Sequence, residues 1–319
     1  MRGWTVPRFG EPREVLELTD LPDPVAGEGQ RVVDVAAASV NFADILYCRG
    51  TYQEKPPLPF TPGLEVAGVD PATGERLFGP VVMPHGGYAE RAVLGSWHPW
   101  PEGMTAAQAS GFFVAYQTGW CALHRRTQLR TGETLLVHAA AGGVGAAAVQ
   151  LGLAAGARVI ATVGSADKAE VARRLGAHEV IVLDGPVGEI LIPAVKELTD
   201  GRGADVVYDP VGGDTFDASR RVTAWEGRLL VIGFAGGRIA DAPTNHALVK
   251  NYDVVGVHWA AYRTRAPELV RAWQGELEAL WAAGRIDPLV GAEYALADLP
   301  DALDAIAART TTGRVVVTP

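Results

Sequence analysis

Residues 135–145 read Leu-Leu-Val-His-Ala-Ala-Ala-Gly-Gly-Val-Gly, and they fix how the rest of the chain is interpreted. An apolar run typical of a buried strand leads into a glycine-rich turn and an alanine-rich helix. The turn is a G-x-G-x-x-G fingerprint with Ala140 in place of the first glycine. It lets backbone approach a pyrophosphate, while the helix N-terminus presents free N–H groups. A structural turn is the alternative, but the strand–turn–helix context favours a dinucleotide site. Its predicted residues are Gly142, Gly143, Val144 and Gly145.

Strands and helices alternate from about residue 110 onward. The predicted strands are Glu133–His138, Arg158–Val163, Val180–Leu183, Val206–Asp209, Arg228–Phe234 and Tyr252–Trp259. The predicted helices cover 143–155, 167–175, 187–199 and 214–224. Short apolar strands separated by helices indicate a parallel sheet that is covered on both faces.

The first 110 residues or so are different, because they are rich in Pro and Gly and contain short β-branched runs such as Arg31–Val35. This texture predicts an irregular, mostly antiparallel β domain. After the last predicted strand of the parallel sheet, amphipathic helices are predicted at 266–283 and 298–309, with a final strand at Arg314–Val317.

Composition excludes several classes of protein. The chain has 319 residues, and 28 Lys and Arg against 37 Asp and Glu give a net charge of −9, which argues against nucleic acid or an anionic membrane as a partner. Two cysteines, Cys48 and Cys121, are too few for a disulfide framework or a four-cysteine zinc site, and we expect both to be buried. Residues 134–157 lack charge but are broken by Gln150 and Gly152, so no membrane span is expected. Without an apolar N-terminal run, the protein is expected to be cytoplasmic.

The loop after the second strand of the parallel sheet bears on the choice of cofactor. An NAD-specific site usually has an acidic residue at that strand tip, but here the strand runs into Gly164-Ser-Ala-Asp-Lys168. Ser165 can donate a hydrogen bond to a 2′-phosphate and Lys168 supplies positive charge. NADPH is therefore favoured. NADH is the alternative, because Asp167 offsets the charge and Lys168 has a second interpretation as a solvated first-turn residue.

Seven collinear stretches resemble a known family. They are Val40–Asp44 (VNFAD), Arg49–Tyr52 (RGTY), Pro57–Gly68 (PLPFTPGLEVAG), Val114–Gly119 (VAYQTG), His138–Gly145 (HAAAGGVG), Tyr208–Gly213 (YDPVGG) and Gly313–Val317 (GRVVV). They are similar to the zinc-free quinone oxidoreductase (ζ-crystallin-like) branch of the medium-chain dehydrogenase/reductase superfamily. The resemblance implies an α/β fold class, with a Rossmann doubly wound parallel sheet plus a mostly antiparallel GroES-like catalytic domain. It also implies homodimers or homotetramers.

Domain boundaries follow from the resemblance, because the family's C-terminal segment returns to the catalytic domain. We expect residues 1–112 and 250–319 to form that domain and residues 113–249 to form the dinucleotide-binding domain.

Zinc-dependent members of the superfamily would place two of their metal ligands at Asn41 and at Leu64, before Glu65. Neither Asn nor Leu replaces a thiolate or an imidazole, so no zinc is expected. Without a metal, hydrogen-bond donors must polarise the substrate as hydride arrives. A quinone or another α,β-unsaturated carbonyl suits such a site, and simple alcohol oxidation does not.

The resemblance also implies individual roles. Asn41 and Tyr52 are the candidates for positioning and hydrogen-bonding the substrate; the alternatives are that Asn41 only orders its loop and that Tyr52 is only a wall. The expected cofactor contacts beyond the glycine turn and the Ser165 loop are Thr118, Val211, Gly233, Phe234, Ala235 and Arg314. Leu183 departs from the family, which often has a tyrosine there for the 2′-phosphate, and this weakens the NADPH assignment. Asp44 is expected to be a structural acid, and His138 a packed turn residue.

The leading hypothesis is a zinc-independent oxidoreductase that transfers hydride from NADPH to a quinone or enone. An enoyl-thioester reductase is the first alternative, but no basic patch for a CoA or carrier phosphate is evident in the sequence. A cofactor-binding crystallin or RNA-binding relative without catalytic activity is the second, and the negative net charge disfavours RNA.

Overall fold

The computed structural model describes all 319 residues and divides them into two compact units. The first unit contains Met1–Val114 and Pro288–Pro319, and the second contains Ala115–Asp287. The discontinuity was expected, but the expected return at residue 250 is wrong, because the chain goes back to the first unit only at Pro288. The reason is that Asp253–Gly256 forms another parallel strand of the second unit.

Fifteen strands are present. In chain order they are β1 (Arg2–Thr5), β2 (Glu17–Asp20), β3 (Arg31–Val40), β4 (Glu65–Val69), β5 (Arg76–Pro80), β6 (Arg91–Leu94), β7 (His98–Pro99), β8 (Thr134–Val137), β9 (Arg158–Val163), β10 (Glu179–Val182), β11 (Ala204–Asp209), β12 (Thr223–Val231), β13 (Asp253–Gly256), β14 (Val290–Ala295) and β15 (Arg314–Thr318).

Twelve α-helices accompany them. They are α1 (Pro12–Val15), α2 (Phe42–Arg49), α3 (Ala106–Ser110), α4 (Phe112–Trp120), α5 (Gly143–Ala154), α6 (Ala166–Arg174), α7 (Val187–Leu198), α8 (Gly213–Val222), α9 (Thr244–Lys250), α10 (Tyr262–Arg265), α11 (Pro267–Ala282) and α12 (Leu299–Ala307). A π-helical turn covers Cys121–Arg126, and 3-10 turns cover Trp259–Ala261 and Leu296–Asp298.

The first unit is built on a seven-stranded sheet. Its order is β14-β15-β3-β4-β5-β7, with β6 also paired to β3, and every pairing except β14 with β15 is antiparallel. Alternate side chains of β3 and β15, including Val33, Val315 and Val317, are buried in its core. This is the predicted antiparallel β domain, and β15 places the segment around residue 315 directly beside β3.

The second unit has a six-stranded, fully parallel sheet in the order β10-β9-β8-β11-β12-β13. The order reverses between β8 and β11, and ligands of doubly wound sheets bind at the carboxyl ends of the strands at such a reversal. Leu135 and Leu136 are both fully buried, which fits a central strand covered by helices on both faces. The predicted Rossmann sheet is confirmed.

The charge-free stretch at 134–157 forms β8 and α5. The helix has 12 residues and begins at the glycine turn. No helix in the chain combines the length and the apolar character needed to cross a membrane.

Candidate active site

The turn between β8 and α5 is shaped by backbone crowding. Ala139 has a φ of +49°, which turns the chain sharply out of the strand, and its carbonyl oxygen accepts a hydrogen bond from the Gly142 N–H at 2.9 Å. The same oxygen would lie only 2.2 Å from a Cβ on Gly145, so no larger residue fits there without movement of the turn. The turn therefore packs tightly against the start of α5.

The first turn of α5 leaves backbone donors available. Gly142 is the N-cap residue, and the first intrahelical bond runs from the Ala146 N–H to the Gly142 carbonyl oxygen at 2.8 Å. The N–H groups of Gly143, Val144 and Gly145 precede that bond and have no acceptor within the helix. With the close turn, they fit a dinucleotide pyrophosphate, which the positive end of the helix dipole attracts.

His138, at the end of β8, is almost completely buried. Its Nδ1 lies 2.9 Å from the Thr162 hydroxyl and its Nε2 lies 2.7 Å from the Ser219 hydroxyl. Burial lowers the pKa of His138 to about 3, so the imidazole stays neutral. It is a packed turn residue, as predicted, and its low pKa makes it a weak base.

Ser165 and Lys168 lie where β9 leads into α6. Ser165 is the N-cap of α6, and its hydroxyl oxygen accepts a hydrogen bond from the Lys168 N–H at 3.5 Å. The hydroxyl proton is not needed for that cap and can be donated to a ligand. Lys168 is half-buried in the first turn of α6. Contact of either residue with a 2′-phosphate stays a prediction.

The loops after β11 and β12 are joined by backbone hydrogen bonds. The Ala235 N–H donates to the Pro210 carbonyl oxygen at 3.0 Å, and the Gly236 N–H donates to that of Val211 at 2.7 Å. The predicted residues Val211, Gly233, Phe234 and Ala235 therefore lie together at the carboxyl edge of the sheet. Because β11 also pairs with β8, they share that edge with the glycine turn. Thr118, on α4 of the second unit, is buried, and its predicted nicotinamide contact stays a prediction.

Asp209, at the end of β11, is a buried acid that the sequence analysis missed. Its Oδ1 accepts hydrogen bonds from the N–H groups of Val211 at 2.8 Å and Gly212 at 3.0 Å, whereas its Oδ2 has no partner. Burial raises the pKa of Asp209 to about 6. The signal available in the sequence was the acid at a predicted strand end, just before Pro-Val-Gly-Gly.

In the first unit, Asn41 joins β3 to α2. The Asn41 N–H donates to Asp44 Oδ2 at 2.8 Å, and the same carboxyl group accepts from the Tyr88 hydroxyl at 2.6 Å and from the Gly63 N–H at 3.2 Å. Burial raises the pKa of Asp44 to about 7. Asp44 is therefore structural, as expected, because its carboxyl group fixes the start of α2.

Arg314 lies in the first unit, and its predicted contact with the cofactor stays a prediction. Its Nη2 forms a buried ion pair with Glu65 and hydrogen bonds to the Ser39 hydroxyl and, at 3.0 Å, to Asn41 Oδ1. Glu65 also accepts from the Val114 N–H at 2.8 Å. Sequence matching identified the arginine. The pairing of β15 with β3 brings its Nη2 within hydrogen-bond distance of Ser39 and Asn41.

Tyr52 follows α2, two residues after the left-handed C-cap Gly50. Its ring packs against Tyr47 with 4.7 Å between centroids, and burial raises the pKa of its phenol. Tyr52 is half-buried and packs against an apolar cluster that includes Cys48 and Phe60. Asn41 and Tyr52 thus lie at opposite ends of α2, and their substrate roles stay predictions.

Comparison with known proteins identifies the family. The model of the alcohol dehydrogenase GroES-like domain matches residues 27–96, and that of zinc-binding dehydrogenase matches residues 143–274. Quinone oxidoreductase-like protein 2 of Mus musculus is 38% identical over 320 residues, which cover 96% of this chain and 89% of the mouse protein. The chain belongs to the quinone oxidoreductase family of the medium-chain dehydrogenase/reductase superfamily.

Other members of the quinone oxidoreductase family agree. Quinone oxidoreductase of Pseudomonas aeruginosa is 35% identical over 98% of this chain and 97% of its own length. The crystal structure of Escherichia coli quinone oxidoreductase complexed with NADPH is similar with a TM-score of 0.89 and 28% identity, over the full length of both chains. The quinone oxidoreductase of Thermus thermophilus, also described in complex with NADPH, has a TM-score of 0.88 and 35% identity over both full chains.

The description of one matching family model names zinc, but the side chains of this chain do not fit a zinc site. Asn41 turns its carbonyl oxygen toward a guanidinium, and Leu64 has no donor atom. Burial raises the pKa of Cys48 to about 12 and that of Cys121 to about 11, which disfavours the thiolate that zinc requires. No group of three or more His, Cys, Asp or Glu side chains is arranged to hold a metal ion. No step is therefore assigned to a metal.

Proposed function

We propose that this protein catalyses the reduction of quinones or other α,β-unsaturated carbonyl compounds by NADPH. The observation that carries the proposal is the glycine turn, in which Gly145 has no room for a Cβ and the N–H groups of the first turn have no acceptor within the helix. The quinone oxidoreductases of Escherichia coli and Thermus thermophilus, whose structures include complexes with NADPH, have the same fold over their full length.

The loop that begins at Ser165 favours NADPH over NADH. Neither Gly164 nor Ser165, at the tip of β9, carries a charge that would repel a 2′-phosphate. The Ser165 hydroxyl can donate one hydrogen bond, and Lys168 lies one helical turn further on and contributes positive charge. Leu183 contributes neither charge nor a hydrogen bond, so discrimination rests on the serine and the lysine.

Bound NADPH would supply hydride from its nicotinamide ring. The task of the first unit is then to bind the acceptor and to stabilise the charge that develops on its oxygen. Asn41 and Tyr52 can each donate a hydrogen bond to that oxygen, through an amide N–H and a phenol O–H. Because burial raises the pKa of Tyr52, the phenol keeps its proton at neutral pH and remains a donor.

Two neutral donors suit a conjugated acceptor. When hydride adds to the β-carbon of an enone, the electron pair of the C=C bond moves through the conjugated system onto oxygen, which gives an enolate. Water then supplies the proton, so no buried side chain is required as an acid. Oxidation of an unactivated alcohol needs a base for the hydroxyl proton. His138 is a weak base, because burial lowers its pKa to about 3, and both of its ring nitrogens contact hydroxyl groups.

We also propose that the protein forms homodimers through β13. This strand is an edge of the parallel sheet, and it pairs only with β12. Val254 on β13 is 39% exposed, and Leu248 and Val249 on the preceding helix are 79% and 73% exposed. Unpaired strand edges with exposed apolar side chains favour pairing with a second chain.

The proposal is tested by a panel of cofactors and acceptors. Oxidation of NADPH and NADH is followed by the loss of the absorbance of the reduced nicotinamide, with 1,4-benzoquinone, 1,4-naphthoquinone, 2-cyclohexen-1-one and crotonyl-CoA as acceptors. We expect NADPH to be oxidised with the quinones and the simple enone. Turnover of crotonyl-CoA alone would identify an enoyl-thioester reductase, and no turnover with any acceptor would exclude the reductase.

A further inference from the structure

Three buried side chains surround one guanidinium nitrogen of Arg314 in the first unit. We refer to Ser39, Asn41, Glu65 and Arg314 as the Asn41 cluster. Each is at most 7% exposed, and their hydrogen bonds link β3, β4 and β15. Arg314 is the only cation among them, and Glu65 balances its charge.

The cluster decides which end of the Asn41 amide faces which neighbour. The carbonyl oxygen Oδ1 accepts from Arg314 at 3.0 Å. The amide nitrogen Nδ2 faces two acceptors, the Ser39 carbonyl oxygen at 3.3 Å and Glu65 Oε1 at 3.4 Å. A flipped amide would place its N–H groups against the guanidinium and its oxygen against two acceptors, so only one orientation satisfies the cluster.

The two ends of the amide are not equally committed. Oδ1 is held by a charged donor, and charge-assisted hydrogen bonds are the stronger kind. The contacts of Nδ2 lie beyond the usual range for an N–H···O hydrogen bond. An N–H group of Nδ2 can therefore form a hydrogen bond to a ligand instead, and only a weak contact is lost. Asn41 can therefore offer an N–H group of Nδ2 to a ligand, while one lone pair of Oδ1 is taken by Arg314.

We propose that Arg314 is a positioning residue that, with Glu65, fixes Asn41 as a hydrogen-bond donor to the carbonyl oxygen of the acceptor. This inference rests on the proposed function and names the residue that determines its substrate class. A ligand that offers an acceptor oxygen pairs with the N–H of Nδ2, whereas a ligand that offers a hydroxyl proton would have to share Oδ1 with Arg314.

A purely mechanical role explains the ion pair less well. Removing two charges from water is expensive, and well-packed apolar residues often hold strands together as firmly. An apolar pair would however leave the Asn41 amide free to rotate. What the buried ion pair adds is a fixed direction for that amide.

The test compares acceptors that differ in their need for polarisation. 1,4-Benzoquinone is strongly electrophilic, whereas 2-cyclohexen-1-one depends more on hydrogen bonding to its oxygen. In Arg314→Gln, we expect kcat with the enone to fall about 10- to 100-fold, less than the roughly 100- to 1,000-fold for outright removal of a preorganised donor, because Asn41 itself remains. We expect a much smaller fall with the quinone. Arg314→Lys should restore most of the enone activity, because an ammonium group offers three donors for the same three acceptors.

Stability is separated from positioning by two further variants. Glu65→Gln/Arg314→Met leaves no unpaired buried charge, so it tests the amide orientation if Arg314→Gln does not fold. Arg228→Gln breaks the half-buried ion pair with Glu133 in the second unit and is the control for loss of an ion pair alone. We expect the double variant to lose enone activity selectively and the Arg228 variant to keep the enone-to-quinone ratio of the wild type.

Equal losses with both acceptors in the Arg314 variants, or no loss in the folded double variant, would overturn the positioning role. A wild-type protein that oxidises NADPH with neither acceptor would instead overturn the proposed function, and the inference with it.

Discussion

His138 couples the folding of the second unit to pH. The unfolded chain takes up a proton on this imidazole below its ordinary pKa of 6.5, whereas burial keeps the folded form neutral down to about 3. The unfolded state therefore binds more protons in this window, and the free energy of unfolding falls as the pH falls.

His138→Gln should remove this part of the pH dependence. Between about pH 6 and 4 we expect the variant to lose stability less steeply than the wild type, with slopes that differ by up to about 1.4 kcal/mol per pH unit, the value for one proton. Urea unfolding at each pH measures the slopes. Asp44 and Asp209, whose raised pKa values act in the opposite direction, are present in both proteins and cancel in the comparison. Parallel slopes would mean that His138 is protonated without loss of structure.

Lys168 is the residue on which discrimination between the two nicotinamide cofactors is expected to depend. Lys168→Ala should weaken NADPH binding about tenfold, which corresponds to one charge-assisted contact, and leave NADH binding nearly unchanged. Titration of nicotinamide fluorescence gives both dissociation constants. Lys196→Ala, which removes an exposed lysine from the last turn of α7, is the matched control. An equal loss of affinity for both cofactors would mean that Lys168 does not discriminate between NADPH and NADH.

At the scale of elements, α5 and α11 each contain a glycine whose replacement by alanine should change the stability of the protein, but in opposite directions. A Cβ on Gly145 would lie 2.2 Å from the Ala139 carbonyl oxygen, whereas a Cβ on Gly275 meets nothing within 4 Å. Gly145→Ala should destabilise the protein by about 1–3 kcal/mol through overpacking and should weaken cofactor binding. Gly275→Ala should stabilise it by about 0.5–1 kcal/mol, because alanine is the better helix former. Thermal unfolding with and without NADPH measures both, and equal melting temperatures for the two variants would contradict this account of the turn.

The elements of the second unit were predictable because their signals are local. Apolar runs and helical spacing located β8, β9 and β11 nearly residue by residue. The strand predicted at Tyr252–Trp259 shrinks to Asp253–Gly256, and its pairing with β12 is a contact that local patterns do not reveal. Consequently the boundary at residue 250 was misplaced, since only the pairing assigns β13 to the second unit.

The residues of the site were predictable where their role depends on local backbone structure. The glycine turn and the cap at Ser165 follow from short motifs. The contacts of Arg314 could not be predicted from a local motif, because its partner Glu65 lies 249 residues earlier in the chain. Asp209 was missed because its contacts with the N–H groups of Val211 and Gly212 depend on the conformation of the loop that follows the strand.

At the scale of the whole molecule, the edge of β13 should control assembly. Val254→Lys places a charge on the unpaired edge, which opposes strand pairing between chains. Light scattering should then give the mass of a single chain for the variant and twice that mass for the wild type. Val25→Lys is the matched control, because Val25 is 87% exposed and lies outside the strands. A dimeric Val254 variant would place the interface elsewhere.

The position of Arg314 also has a consequence for biosynthesis. Its partners Ser39, Asn41 and Glu65 precede it by 275, 273 and 249 residues, and the whole second unit is encoded between them. Domains generally fold as units during synthesis, starting from the N-terminus. In this chain the second unit can complete its sheet before Arg314 has been synthesised and can pair with Glu65. We therefore expect the glycine turn of the second unit to form before Asn41 is positioned in the first unit.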